Sequence, residues 1–415
     1  MEVRPGFKQT EIGPLPGDWA IAPFGALALI ERGKFSARPR NDPRFYGGDI
    51  PFLQTGDVTR SGGVIEQYSQ TLNADGLRVS RLFPKGTLLF TIAANIGDVG
   101  ITAFDAACPD SLVAVSPRSS VDKQWLFYEL ARRKEDFEKL ASPGAQLNIN
   151  LEKLLPYLLP VPSRVEQCEI GVALSDVDAL LAGLDRLIAK KRNLKQAAMQ
   201  QLLTGQTRLP GFQGEWEEKR LGETASLKAR IGWQGLTTAE YLDTGEFFLV
   251  TGTEFSNGYI DWERCHFVDA SRYQQDSNIQ LRPRDVLVTK DGTIGKVALV
   301  PSLPGPATLN SGVFVIRPLR DSFHPEYFYY VLCSNQFATF LSQLAAGSTI
   351  SHLYQKDFVG FTYRAPASLD EQAAIAAFLA DMDAELTVLE ARRDKSRALK
   401  QGMMQELLTG RTRLL

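Results

Sequence analysis

The side chains in this sequence best suited to act on a partner are cations, amides and hydroxyls gathered in short polar stretches. "ERGKFSARPRNDPRF" (31–45) sets Lys34, Arg38, Arg40 and Arg44 among aromatic residues. "SLKARIGWQG" (226–235) carries Lys228, Arg230 and Trp233. A guanidinium can clamp phosphate oxygens or the paired acceptors of a guanine edge, so both stretches suit a nucleic-acid face. "GAQLNIN" (144–150) offers Gln146 and Asn148, and "GSTISHL" (347–353) offers Ser348 and Thr349. Amides can read adenine edges and hydroxyls either kind of edge, although turn capping accounts for the same residue types. Lys290 and Thr293, in "TKDGTIGK" (289–296), complete the set of candidate DNA contacts. For each of these residues a solvated charged or polar loop is the competing explanation.

Catalytic chemistry has far less to stand on. "GTIGK" (292–296) lacks both the four-residue gap between glycines and the hydroxyl residue after lysine that a phosphate-cradling loop needs. His266, His324 and His352 are well separated, which disfavours histidine metal clusters and Ser-His-Asp triads. Cys108, Cys168, Cys265 and Cys333 lie far apart with no CxxC spacing, as expected of reduced thiols in a cytosolic protein. No dinucleotide fingerprint, methyltransferase motif or nuclease signature appears. The pattern points to binding, with no metal and no cofactor held by this chain.

The elements that must position these residues are announced by a repeat. "EQCEIGVALSDVDALLAGLDRLIAKKRNLKQAAMQQLLTGQTRL" (166–209) returns as "EQAAIAAFLADMDAELTVLEARRDKSRALKQGMMQELLTGRTRL" (371–414), with about half the positions identical. Upstream, "PFLQTGDV" (51–58) answers "FFLVTGTEF" (247–255), and "TLLFTIAANIGDVGI" (87–101) answers "DVLVTKDGTIGKVAL" (285–299). Trp19 with Phe24-Gly25 answers Trp216 with Leu221-Gly222. One unit of roughly 200 residues is used twice, a period too long for a solenoid.

The strongest part of the echo is helical. Ile170, Leu174, Val177, Leu181, Leu184 and Ile188 fall at 4-3-4-3-4 spacing, and Ile375, Leu379, Met382, Leu386 and Leu389 repeat the register. Such a seam wants a partner helix, and two matched helices most simply pair antiparallel as a coiled coil. The seam turns polar at Lys191 and Lys195, and again at Arg393, Ser396 and Lys400, a break that can set register. Gly205 and Gly410 sit where a left-handed helix end belongs.

The remaining segments, 1–165 and 210–370, mix Gly- and Pro-rich turns with β-branched runs. "GTLLFTIA" and "DVLVTKDG" read as buried strands, while 123–141 and 325–345 read as helices. The predicted fold class is α+β: globular domains at 1–165 and 210–370, helices at 166–209 and 371–415, and an internal pseudo-twofold repeat. The formal net charge is −2. Residues 1–165 carry 19 basic and 18 acidic groups and residues 210–370 carry 14 and 18, so nucleic-acid binding would need local patches. No apolar run approaches a membrane span, and no signal-peptide core opens the chain.

Taken in order, the Trp-x4-Leu/Phe-Gly starts, "GSTISHLYQKDF", the "EQ" opening each helix and the "LLTG" closing it resemble the specificity subunit of type I restriction–modification enzymes. The resemblance covers both halves. It implies two target recognition domains, each reading half of a bipartite, asymmetric DNA sequence, with the helices as spacers. It further implies docking of two methyltransferase subunits and, through them, restriction subunits. S-adenosylmethionine, ATP and magnesium would then belong to those partners alone. "GAQLNIN" departs from the family's usual Gly-Ser/Thr loop. A structural adaptor that gathers partners without touching DNA is the alternative, and an enzyme acting alone is a third reading.

Overall fold

The computed structural model describes residues 5–141, 148–345 and 352–414, and at Trp233 the backbone only. It divides into two compact units, Met1–Asp185 with Ala391–Leu415, and Arg186–Glu390. Each unit holds one globular part and a stretch of both long helices.

In the first unit, strand β1 (Ala20–Pro23) leads into β2 (Ala28–Arg32), followed by β3 (Val64–Ile65), β4 (Leu88–Thr91), β5 (Val99–Thr102) and β6 (Leu112–Pro117). The main sheet runs β2-β6-β4-β5-β3, antiparallel except for β5 with β3. Period-two alternation divides its side chains between two cores. Leu88, Phe90, Val113 and Val115 enter one cluster, with Trp125 and Leu126; Leu89, Leu112 and Ala114 enter another, with Leu53 and Phe83. Burial on both faces is why "LLFT" is continuously apolar. A second sheet packs Tyr46–Phe52 between Gln70–Leu72 and Ala106–Ala107.

The helix expected over 123–141 is two: α1 (Lys123–Arg132) and α2 (Lys134–Leu140). Between them Arg133 leaves helical geometry (φ −96°, ψ 17°), bonds the fully buried Glu129 and lies over the Tyr157 ring at 5.8 Å. Strand β7 (Leu158–Val161) then pairs with β1, and the long helix α3 (Arg164–Leu202) begins.

The second unit repeats this plan. Strands β8 (Trp216–Arg220), β9 (Ala225–Lys228), β10 (Val286–Thr289), β11 (Val297–Leu299) and β12 (Val313–Pro318) precede α4 (Pro325–Leu332) and α5 (Asn335–Ala345). The sheet order is β9-β12-β10-β11, all antiparallel. The helix expected over 325–345 is again broken, at Cys333 and Ser334, where the Ser334 hydroxyl accepts from the Gln336 amide at 3.2 Å. Strand β13 (Thr362–Pro366) pairs with β8, and α6 (Leu369–Leu407) follows.

Helices α3 and α6 have 39 residues each, about 58 Å at 1.5 Å per residue. They run antiparallel within each unit. In the first, Lys400 binds Asp178 at 2.6 Å and Arg393 lies 3.7 Å from Asp185. In the second, Lys195 binds Asp383 at 2.5 Å, Lys191 binds Glu385 at 2.7 Å and Arg192 binds Glu390 at 2.5 Å. The polar break in the seam is therefore a set of ion pairs. Leu174 and Leu379 are fully buried, Leu184 and Leu386 nearly so, and Leu181 and Leu389 half-buried.

Two further clusters recur in both units. Tyr128 donates to Asp178 at 2.7 Å with Lys400 over its ring, and Tyr330 donates to Asp383 at 2.9 Å with Lys195 over its ring. Burial raises the pKa of both phenols, which keeps them as donors. The paired "EQ" residues are buried as well. Gln167 accepts from the Asp122 amide and donates to Pro162 O; Gln372 accepts from the His324 amide and donates to Pro366 O.

"LLTG" and the arginine after it close each unit. Gly410 (φ 68°) packs so tightly that a Cβ there would stand 2.3 Å from Pro16, and one on Gly205 (φ 74°) would stand 3.1 Å from the Trp216 ring. Arg413 forks to Asp18 and to the buried Glu166, which also accepts from the Trp19 indole at 2.9 Å. Arg208 makes the matching fork to the buried Glu371. The repeated words thus encode one joint used twice.

Candidate nucleic-acid interface

Sheet register gathers most of the candidate residues at one edge of each globular part. In the first unit β6 begins where β2 and β4 end, with Arg32 opposite Val113 and Thr91 opposite Leu112. The chain leaving β2 forms the 33–45 loop, and the chain leaving β4 forms the turn 92–98. Ile92 N donates to Ser111 O at 3.0 Å, and Ile92 O accepts from Ile149 N at 2.8 Å. These bonds bring Asn148, which bridges Ala93, to the same edge. Lys34, Arg38, Arg40, Arg44 and Asn148 are all exposed.

The arginines of that loop are held by neighbours. Arg40 forks onto Asp110, beside Ser111, at 2.9 Å. Arg44 pairs with Asp42 at 2.7 Å, and Arg38 donates to Ala37 O at 2.7 Å and Phe35 O at 3.2 Å. Arg40 and Arg44 keep 51% and 78% of their side-chain surface, so their partners orient them without covering them.

The second unit has the same frame. Lys228 faces Val315 and Thr289 faces Val313, so β9 and β10 both end where β12 begins. Lys290 N donates to Gly312 O at 2.8 Å, and Lys290 O accepts from Leu353 N at 2.8 Å. His352 bridges Asp291, with its imidazole on the Asp291 carboxylate. Lys228 and Thr293 are exposed; Lys290 is half-buried with its ammonium 5.3 Å from the Phe314 ring centre. Burial lowers the Lys290 pKa.

Arg230 does not belong to this face. It is 1% exposed, and its guanidinium is spent on Leu309 O, Gln275, Arg272 O and Thr308. A basic residue two positions past the exposed Lys228 suggested a shared loop; the chain instead turns it into the body, where it ties two segments. Gln146, Ser348 and Thr349 lie outside the described residues. Among the described residues no group of three or more His, Cys, Asp or Glu side chains could hold a metal ion. No described helix is long and apolar enough to cross a membrane.

Sequence reasoning overlooked Asn95, at the tip of the turn 92–98. It sits in the place that Thr293 takes in the second unit, and the alignment of "TIAANIG" with "TKDGTIG" was the available signal. It also overlooked Arg208 and Arg413, although both stand inside the repeated "TGxTRL".

Against known families, residues 16–190 and 213–396 each match the type I restriction modification DNA specificity domain. The chain belongs to that family. It is 23% identical over 434 residues to a putative type I restriction enzyme MjaX specificity subunit of Methanocaldococcus jannaschii, covering 98% of this chain and 97% of that one. The MjaVIII specificity subunit of the same organism is 23% identical over 429 residues, with 98% and 96% covered. The fold is similar to the crystal structure of a type I restriction–modification S subunit from M. genitalium, with a TM-score of 0.62 at 17% identity over 94% of this chain and 96% of that one. A chain from a type I restriction–modification structure on complex assembly and conformational transition gives 0.57 at 17% identity, covering 95% and 99%. Two family domains on one chain account for the internal repeat.

Proposed function

We propose that this specificity chain reads a bipartite, asymmetric DNA sequence, one half with each globular part, and performs no catalysis itself. The observation that carries the reading is the pair of equivalent loop faces: one backbone frame, bearing different side chains. Equal frames suit one kind of ligand, and unequal side chains suit two different half-sites. Lys34, Arg40, Arg44 and Lys228 serve phosphate, while Asn148 and Thr293 reach for base edges. With overall charge near neutral, affinity has to come from these local groups and from partner subunits.

The helices supply docking surface for two methyltransferase subunits, which recruit restriction subunits in turn. Val165, Val172, Leu180, Leu187 and Leu194 remain exposed at near-heptad spacing on α3. That stripe lies about 120° from the buried seam, as helical spacing requires, and is the kind of surface a partner helix covers. The partners would hold S-adenosylmethionine, ATP and magnesium.

The test is a DNA shift assay and methylated-adenine mapping with the chain assembled on its methyltransferase subunits. Sequence-specific binding that disappears when Arg40 and Lys228 are both replaced by alanine supports the reading. A complex that assembles fully yet binds every sequence alike would leave the chain a structural adaptor.

A further inference from the structure

The turn between β4 and β5 recurs between β10 and β11 with the same backbone frame. In the first unit Thr91 N donates to Asp98 O at 3.0 Å, Gly97 N to Thr91 O at 3.0 Å and Asp98 N to the Thr91 hydroxyl at 2.9 Å. In the second unit Thr289 N donates to Lys296 O at 2.9 Å, Gly295 N to Thr289 O at 2.9 Å and Lys296 N to the Thr289 hydroxyl at 2.9 Å. Ala94 (φ 62°) and Gly292 (φ 67°) adopt the same left-handed geometry. On these matched frames the other tip residues differ: Ile92, Ala93, Asn95 and Asp98 stand where the second unit has Lys290, Asp291, Thr293 and Lys296. A fixed backbone carrying exchanged side chains is what two heads of different specificity require.

Asn95 is exposed at the tip, and one of its hydrogen-bonding groups is already engaged. Its Nδ2 donates to the Thr59 hydroxyl at 2.8 Å. That hydroxyl reaches Asp98 Oδ2 at 2.5 Å, and Asp98 Oδ1 accepts from Lys134 Nζ at 2.5 Å. These contacts restrain the side chain of an exposed residue, and a carboxamide has a second N–H and an oxygen besides the N–H that Thr59 holds. A neighbouring donor and acceptor match the N7 acceptor and N6 amino group of adenine, whereas guanine offers two acceptors there. The Ile92–Ile149 and Ile92–Ser111 bonds tie the start of the turn to the neighbours of Asn148 and of Asp110, the partner of Arg40.

We propose that Asn95 reads an adenine in the half-site bound by the first unit, with Thr59 as its positioning residue. The inference rests on the DNA-reading function above and adds a residue and a base to it. Restraining the amide before binding lowers the ordering cost that a free side chain would incur on contact.

The experiment uses the full chain assembled with its methyltransferase subunits and selects bound sequences from a random duplex library. The parent complex defines both half-sites. Asn95→Ala is expected to lower discrimination at one adenine of one half-site by roughly 5- to 150-fold, the range for loss of a bidentate base contact. Thr59→Val should weaken the same position by less, and Thr59→Ser should restore it, which a merely structural role would not reproduce. Thermal unfolding of each complex keeps folding separate from reading. Unchanged selection by a folded Asn95→Ala complex, or relaxation at a base pair without adenine, overturns the proposal and leaves the DNA-reading function standing. A parent complex that selects no sequence overturns both.

Discussion

At the scale of single residues, charge in the sequence did not reveal which cations face solvent. Lys34, Arg40 and Lys228 point outward, while Arg230, two positions past Lys228, is internal. Period two along an extended strand puts alternate residues on opposite faces, but where a strand ends decides whether the next turn exposes or buries a side chain. Arg230→Ala should therefore cost stability, about 2–4 kcal/mol from unpaired buried acceptors, read as a lower unfolding midpoint. Arg40→Ala should leave the midpoint within about 0.5 kcal/mol and instead reduce the salt slope of DNA binding by about one. Equal thermal losses in the two variants would refute the distinction. Asn95 was missed for a related reason: an amide in a loop is ordinary until the hydrogen bonds that orient it are visible.

At the scale of elements, the helices were the most legible part. Seam spacing and the "EQ" start placed the beginnings of α3 and α6 within two residues, because long heptad patterns repeat one physical demand many times. The helices end at Leu202 and Leu407, short of the expected 209 and 415, where the left-handed Gly205 and Gly410 close them. The breaks at Arg133 and Cys333 were not legible, since they depend on buried partners such as Glu129 that come from packing. Burial also grades the seam. Leu174→Asp should cost about 3–5 kcal/mol, as an unpaired charge in a closed core, whereas half-buried Leu181→Asp should cost distinctly less. Chemical denaturation of both variants measures the ordering, and a reversed order would contradict the packing. The joint at Arg413 has a pH signature. Its hydrogen bond holds Asp18 below the usual carboxylate value of 3.8. A lowered folded-state pKa stabilises above the unfolded value, and that contribution is lost as pH falls through the folded one. Arg413→Ala should remove this part of the acid sensitivity, so the gap between variant and parent unfolding midpoints should narrow below about pH 4. A gap constant from pH 7 down to pH 2 would exclude the ion pair as its source.

At the scale of the whole molecule, the repeat makes the first globular part replaceable. Strands β1 and β7 pair in register, Pro23 opposite Leu158 and Ala20 opposite Val161, so residues 24–157 enter and leave the fold at neighbouring points. Cutting there keeps Asp18, Trp19, Glu166 and Arg413 together, and with them the joint between helix end and domain start. It does remove Tyr128, the donor to Asp178, so the incoming segment must carry a tyrosine or another donor at that place. A chimera taking residues 24–157 from another family member should then assemble normally. If recognition is divided between the globular parts, methylated-adenine mapping will show one half-site replaced, the other unchanged and their separation preserved. Separation should instead respond to helix length: four residues added within a helix extend it by roughly 6 Å, close to two base-pair steps, with a rotation that can weaken binding. A chimera that rewrites both half-sites, or alters their separation while keeping their bases, would show that the globular parts do not read independently.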